Sequence, residues 1–487
     1  MTLTFAGDPA ACSGALSRLC SIGYAEASVR DRLGLKDLGD LQMRALAIYR
    51  DERLHARDPL DCAIALFLLQ GALPASEADR LFDVRDQDAL VGAGVLERNG
   101  DTLRTLVSLY PVGTKLVFSD HAWPQFDSGG ESAPHHDQVM YVGADSRWLA
   151  RATVRTPVAA ALDLCTGSGV HALLAAAHAD RVTAVDINPR AVRCTAFNAR
   201  AMGLAHLEVL EGDLYAPVGD RRFDLITANP PFVPAPAQEM GFRDGGPSGE
   251  EVQRRIVEGL PRHLTRGGMA QFVTEFGERD GESLEPRLRE WLGGAPMDIH
   301  VLRLRIHPAH AYAIGHATGQ GQAAFLASVG RWAANLRAQH YDRVVSVLVA
   351  FQWSEAPWFR LDEAHAPGRN AATEVSAIFA AERLARDTAL RDHVRAGRVA
   401  RTGPVALVET HGLGTGVPPG ARGHRLGLAM PVEHTLDPLE RDLLASMDQS
   451  VATADFLAAA AGSAVPEASV LDALVSLVRK GLVRPMP

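Results

Sequence analysis

The sequence predicts an α/β fold on a mostly parallel sheet, with a helical, winged-helix-like domain before it and a small helical domain after it. Three observations carry this. Between residues 141 and 353, short β-branched runs alternate with helical patterns, the rhythm of βαβ units. Before residue 120, apolar residues recur at helical spacing and then give way to a hairpin signal. From residue 431, DPLERDLLASM and EASVLDALVSLVRKGLV again carry helix-period apolar residues.

Within residues 1–120, Leu41, Met43, Ala45, Leu46 and Ile48 lie in an apolar-rich helical stretch, and 63–69 (AIALFLL) is apolar enough to be a buried helix. Asn99-Gly100-Asp101 separates two alternating segments, which marks a hairpin. Helices followed by a hairpin suggest a winged-helix shape. Few basic residues cluster in its recognition segment, which favours dimerisation or a substrate lid over nucleic-acid docking. Residues 121–140 (HAWPQFDSGGESAPHHDQVM) read as a linker or a loop over a site. His135 and His136 are adjacent and would point apart, so they read as solvated loop histidines and not as a metal pair. The runs AALDLC, RVTAVDI, LEVLEGD, FDLITANP, MAQFVTEF, IHVLRLRI and VVSVLVAFQW are the strands of the sheet, with a late hairpin expected at one edge. Residues 354–430 hold Gly/Pro-rich turns (HGLGTGVPPGARGH) and a further hairpin, and 431–487 form a compact helical unit for which a second winged helix is one reading.

Composition bounds the function. The chain has 487 residues, 47% of them hydrophobic, enough for two or three domains. A charged fraction of 22% and a mean hydropathy of -0.02 fit a globular protein. A net charge of -9 disfavours strong unspecific attraction to nucleic acid. The five cysteines include no Cys-x-x-Cys pair, so neither a zinc module nor a disulfide framework is read. The start of the chain lacks a basic-then-apolar leader, and no apolar run reaches the roughly 18–20 residues of a membrane span. A cytoplasmic enzyme without a metal site is expected.

Four motifs carry chemistry. Asp163-Leu164-Cys165-Thr166-Gly167-Ser168-Gly169 follows a strand and precedes the helix VHALLAAA. Its glycines permit a tight turn and close ligand approach. GSGVHA also satisfies a dinucleotide fingerprint. Asp163 points elsewhere, because a pyrophosphate prefers an anion-free helix N-terminus, whereas in methyltransferases a carboxylate here orients the cofactor's amino-acid moiety. Asp186 ends the next strand, where a carboxylate accepts hydrogen bonds from ribose hydroxyls; a helix cap before Asn188-Pro189 is an equally ordinary role. Glu211-Gly212-Asp213-Leu214 follows a third strand, placing an acceptor for an adenine amino group at Asp213 and an amide and an apolar contact at Leu214.

The fourth motif is Asn229-Pro230-Pro231-Phe232, where a buried strand runs into a stiff double-proline turn. A planar NH2 needs two acceptors to hold both hydrogens. The Asn229 side-chain oxygen supplies one and the Pro230 carbonyl the other, which leaves the nitrogen lone pair facing an electrophilic methyl group. Phe232 offers an aromatic face for a flat group.

On these pieces, residues 141–275 resemble the HemK/PrmC family of class I, Rossmann-like N-methyltransferases, particularly the branch that methylates a release-factor glutamine. The matching segments are Tyr141-x-x-x-Asp145-Ser146, DLCTGSGV, VDINPRAVRCTAFNA, GDL, NPPFVPAPAQEM and the Gly245-Gly246…Gly249 loop running into EEVQRRIVEGLPRHLTRGGMAQFVTE. The resemblance implies S-adenosyl-L-methionine as cofactor, held by Asp163, Thr166, Gly167, Gly169, Asp186, Asn188, Asp213 and Leu214, with Tyr141 and Asp145 near its entrance. It implies amide recognition by Asn229, Pro230, Pro231 and Phe232, with Asn229 also facing the cofactor. Phe232 replaces the tyrosine commoner in glutamine-modifying enzymes. The flanks before 120 and after 353 have no counterpart in the short release-factor enzymes.

The leading expectation is methylation of a protein glutamine side chain. The alternatives are an RNA or DNA base N-methyltransferase, a small-molecule methyltransferase of specialised metabolism, and a non-enzymatic interaction protein keeping the fold.

Overall fold

The computed structural model describes residues 5, 7–122, 137–319, 321–364, 367, 371–386, 390–403, 405–410, 420–425, 434–447, 450–462 and 465–486. His135, His136 and most of the expected linker lie outside the described residues. The chain divides into two units: residues 1–150, 155–299 and 305–359 form the first, and 151–154, 300–304 and 360–487 the second.

The first unit opens with helices that include Ser13–Ser21 and Glu26–Leu33. The AIALFLL run is helical and buried, as its composition requires. It leads into a strand, Ala72–Pro74, two short helices, Ala75–Leu81 and Val84–Gly92, and the paired strands Leu96–Asn99 and Thr102–Thr105. Thr102–Thr105 lies between the other two strands. The hairpin turns at Gly100, whose φ of 59° suits glycine. A second hairpin, Ser108–Val112 with Lys115–Ser119, is almost wholly buried.

The eight-stranded sheet comprises β1 (Val158–Leu164), β2 (Ala179–Asp186), β3 (Leu207–Glu211), β4 (Phe223–Ala228), β5 (Leu264–Glu278), β6 (Met297–Pro308), β7 (Arg343–Trp353) and β8 (Phe359–Glu363). Their order is β8-β6-β7-β5-β4-β1-β2-β3. Strands β1 to β5 pair in parallel, whereas β7 is antiparallel to β5. The chain winds outward from β1 to β3 and then returns to β4 on the other side. The crevice beyond the C-terminal ends of β1 and β4 is therefore the switch point where such sheets bind ligands. The expected late hairpin at one edge is corrected: β6 and β7 are joined by two helices, not a tight turn, and β7 inserts between β5 and β6.

The helices that accompany these strands are α1 (Ala144–Ala152), α2 (Val170–Ala175), α3 (Pro189–Ala201), α4 (Glu251–His263), α5 (Leu284–Trp291), α6 (Ala309–His316) and α7 (Gln322–Ala338). Asn198 on α3 is fully buried and ties three segments together. Its Oδ1 accepts from the Phe118 amide at 3.0 Å, while Nδ2 donates to the carbonyls of Phe118 and Ser168 at 2.8 and 2.9 Å. One amide thus locks the buried hairpin to the glycine turn.

In the second unit, Arg398–Arg401 pairs with both Ser450–Ala452 and Val483–Met486. Helices Pro438–Ala445, Thr453–Gly462 and Glu467–Arg479 pack around one apolar core. A strand, two helices and a returning strand follow in sequence, and the central strand of this sheet, Arg398–Arg401, comes from earlier in the chain. Asp437 and Glu440 close a capping box at the first of these helices.

Candidate active site

The glycine turn is shaped by close packing. Cys165, Gly167 and Gly169 all have positive φ, at 53°, 56° and 83°. A Cβ on Gly169 would sit 2.8 Å from the Thr195 side chain, whose hydroxyl donates to the Gly167 carbonyl at 2.9 Å. A Cβ on Gly167 would meet nothing within 4 Å, so the outer face of the turn is open to a ligand.

Asp163 sits beneath that turn and is buried. Its carboxylate accepts from the Thr166 and Thr227 hydroxyls at 2.6 and 2.8 Å and from the Ala172 amide at 3.2 Å. Asp163 and Thr166 therefore brace the turn from below. Burial pushes the Asp163 carboxyl from 3.8 up to about 7, against the pull of those donors. Because the folded value lies above that of the unfolded chain, ionisation opposes folding. The penalty is absent below about pH 4 and fully present above about pH 7. Denaturant midpoints of the wild type should accordingly fall across that window, and Asp163→Asn should flatten the fall; equal slopes would contradict it.

Asp186 ends β2 and accepts from the Gly167 and Asn188 amides at 2.8 and 2.9 Å. Burial raises its pKa. Beside it Ile187 is 68% exposed, an apolar face that the sequence reading passed over. A strand-end carboxylate, an exposed isoleucine and the open face of Gly167 suit a nucleoside: ribose hydroxyls on the remaining lone pairs of Asp186, a base against Ile187. The residues present thus fit the implied cofactor.

The other expected cofactor residues are placed differently. Asn188 caps α3 by accepting from the Arg190 amide at 2.9 Å and donates to the Asp137 carbonyl at 2.7 Å. Asp213 is half-exposed and ion-paired with Arg255 at 2.7 Å, while Leu214 is buried at a φ of 50°.

The second cluster lies at the end of β4. Asn229 Nδ2 donates to Asp145 Oδ2 at 3.1 Å and to Ser146 Oγ at 3.0 Å. A carboxylate only accepts, so it fixes which end of the amide faces it. Both Nδ2 hydrogens are used, and Oδ1 takes no hydrogen bond among the described residues. Burial raises the Asp145 pKa, although the bond from Asn229 pulls the other way.

The turn after Asn229 is set by the glycine loop. The Val233 amide donates to the Arg243 carbonyl, Gly245 to Val233, and Ala235 to Gly246, at 2.9 to 3.0 Å. A Cβ on Gly245 would lie 2.7 Å from the Pro231 carbonyl oxygen, and one on Gly249 only 2.4 Å from that of Phe232. These glycines are there because backbone meets backbone.

A cavity of about 260 Å³ opens beside the motif. Tyr141, Asp145, Asn229, Pro230 and Phe232 line it, as do Trp148, Glu275, Arg305, His307 and His316, which sequence reading did not single out. Asp163, Thr166, Gly167, Gly169, Asp186, Asn188, Asp213, Leu214 and Pro231 are not among its lining residues. Glu275 on β5 is half-buried and accepts from the Tyr312 and Ser346 hydroxyls at 2.5 and 2.9 Å. The Arg305 guanidinium lies 4.7 Å over the Trp148 ring. The cavity mixes aromatic walls with separated charges of both signs.

Comparison with known proteins places this geometry. A family model described as a methyltransferase small domain matches residues 142–291, and one described as a domain of unknown function matches residues 21–106. A ribosomal protein uL3 glutamine methyltransferase of Bradyrhizobium diazoefficiens is 44% identical over 127 residues, covering 23% of this chain and 40% of the relative. A release factor glutamine methyltransferase of Geobacter sulfurreducens is 34% identical over 162 residues, covering 30% and 54%. The chain thus spans about half the length of these two curated relatives. A putative protein N5-glutamine methyltransferase of Methanocaldococcus jannaschii is 31% identical over 145 residues, covering 28% of this chain and 73% of the relative. With a parallel sheet, a glycine turn over strand-end carboxylates and an NPPF turn in place, the chain belongs to the HemK/PrmC-like family of class I SAM-dependent N-methyltransferases.

Proposed function

We propose that this chain transfers a methyl group from S-adenosyl-L-methionine to a planar NH2, the side-chain amide of a protein glutamine. One observation carries the reading: Asp145 and Ser146 consume both Nδ2 hydrogens of Asn229, leaving Oδ1 as an open acceptor on the cavity wall. The bound cofactor supplies an electrophilic methyl group on a sulfonium. The protein's task is then to position a poor nucleophile. Asn229 Oδ1 and the Pro230 carbonyl hold the two N–H groups in their plane, which turns a face of the nitrogen, where its lone pair lies, toward the methyl carbon. Tyr141, Trp148 and Phe232 exclude water from three sides of a flat group. Asp163, Thr166, Gly167, Gly169, Asp186, Asn188, Asp213 and Leu214 belong to the cofactor side in this reading, the first two through the shape of the turn. The names of the relatives make a translation protein the partner we propose, and a cytoplasmic site of action goes with it. Among the described residues no helix is long and apolar enough to cross a membrane.

The test is transfer of labelled methyl to a purified release factor, mapped by fragmentation mass spectrometry. Label on a glutamine side-chain nitrogen is the expected result; label found only in RNA would refute the protein acceptor.

Asp145 acts through Asn229 and is a positioning residue. When protonated it can donate, which permits the Asn229 amide to turn over. Activity should therefore fall as pH drops through the raised folded-state pKa of Asp145. Asp145→Asn should lower kcat by about ten-fold or more with little change in KM, and should lose that acid limb. An unchanged acid limb in the variant would assign the limb to another group.

A further inference from the structure

Between β6 and β7 the chain inserts α6 and α7 against the NPPF turn. Tyr312, Ala313, Trp332 and Leu336 share a core with Val233 and Ala235. Asn335 Nδ2 donates to the carbonyls of Pro234 and Pro247 at 3.1 and 2.9 Å. The inner side of the insertion is therefore spent on holding the motif.

Its outer side has an unusual composition. Residues 305–341 contain no aspartate or glutamate, in a chain with 58 of them and a net charge of -9. The same residues hold three arginines and four histidines. Arg331 and Arg337 on α7 are exposed and take no ion pair among the described residues, whereas Arg305, on β6, is exposed and lies near the carboxylates of Asp145 and Glu275. Ile306, Ile314 and Leu326 are 49%, 52% and 57% exposed. On α7, Leu326 and Arg337 fall on one stripe, opposite the buried Ser328, Trp332 and Leu336. Arg305 and His307 on β6 and His316 at the end of α6 line the acceptor cavity.

We propose that the outer faces of α6 and α7 dock the acceptor polypeptide through an acidic, leucine- or isoleucine-bearing segment flanking the methylated residue. The inference rests on the amide-acceptor reading above and adds the charge of the acceptor. Arg331 and Arg337, on a helix that carries no carboxylate of its own, draw an anionic segment and set its encounter rate. Exposed branched aliphatic side chains favour a polypeptide over RNA, whose recognition uses aromatic stacking and denser positive charge.

The test uses the full chain with three probes: a peptide carrying one glutamine in acidic, leucine-containing flanks, the same peptide with lysine flanks, and a single-stranded RNA of equal length. Methyl transfer and fluorescence anisotropy are both read. The acidic peptide should show a KM about ten-fold below that of the lysine peptide at low salt, with the gap closing as salt rises. Arg331→Glu with Arg337→Glu should reverse the preference while leaving kcat in place, and Leu326→Ser should weaken acidic-peptide binding at every salt concentration. Equal KM values for the two peptides would overturn the docking face and leave the acceptor chemistry standing. Tight acidic-peptide binding that is lost in the double variant, without methyl transfer, would sustain the docking face and sink the amide acceptor. RNA binding that is lost in the same variant, with neither peptide bound, would overturn the proposal in favour of RNA.

Discussion

Replacing Asn229 by alanine is expected to lower kcat by about a hundred- to a thousand-fold while cofactor affinity changes little. The reason lies in the division of labour at that residue. Its Nδ2 is committed to Asp145 and Ser146, so its only free function is the Oδ1 acceptor. Alanine removes one of two groups that hold the acceptor's hydrogens, and nothing else lining the cavity is placed as a substitute on β4. The cofactor side is built from β1 and β2, around Gly167 and Asp186, and stays intact. Single-turnover methyl transfer together with calorimetry of cofactor binding separates the two effects. A variant that loses cofactor binding and activity in parallel would show that Asn229 serves the cofactor instead.

Gly249→Ala should damage both stability and rate. Gly249 has a φ of 77°, and a Cβ there would lie 2.4 Å from the Phe232 carbonyl oxygen and 2.9 Å from the Pro234 nitrogen. Backbone on both sides leaves no flexible side chain to move away. The combined strain should cost roughly 3 kcal/mol or more, and displacement of the NPPF turn should cut kcat by about a hundred-fold. Gly203→Ala is the control. Gly203 has a similar φ of 67° but nothing within 4 Å of a Cβ, so it should cost about 1 kcal/mol with full activity. If the two variants behaved alike, backbone conformation and not close approach would be the operative constraint.

What the sequence conveyed was local. Asp163 and Asp186 each follow a short apolar run, and Gly167 and Gly169 sit where a strand must turn into a helix, so β1 to β4 and the positions of Asp163, Asp186 and Asn229 could be read from adjacent residues. The double proline after Asn229 carries its own conformational restriction. What could not be read depended on distance along the chain. Asp145 meets Asn229 across 84 residues, so its part in orienting the amide has no local signature. The Asp213 carboxylate reads as an open acceptor until α4 brings Arg255 against it. Asp186 reads as a ribose acceptor or a helix cap with equal ease, because the same residue types serve both; the cap is Asn188. The pairing of β7 between β5 and β6 is a tertiary choice that alternating Val and Leu leave open. The α6–α7 insertion lacks a motif altogether; its signal is a missing residue class, visible only once the cavity shows what the segment lies beside.

The most direct test is a crystal structure of the protein with S-adenosylhomocysteine and a glutamine peptide. The carboxamide nitrogen should lie within hydrogen-bond distance of both Asn229 Oδ1 and the Pro230 carbonyl, with one of its faces toward the thioether sulfur. An acceptor bound elsewhere, or an Asn229 side chain turned away from it, would contradict the account.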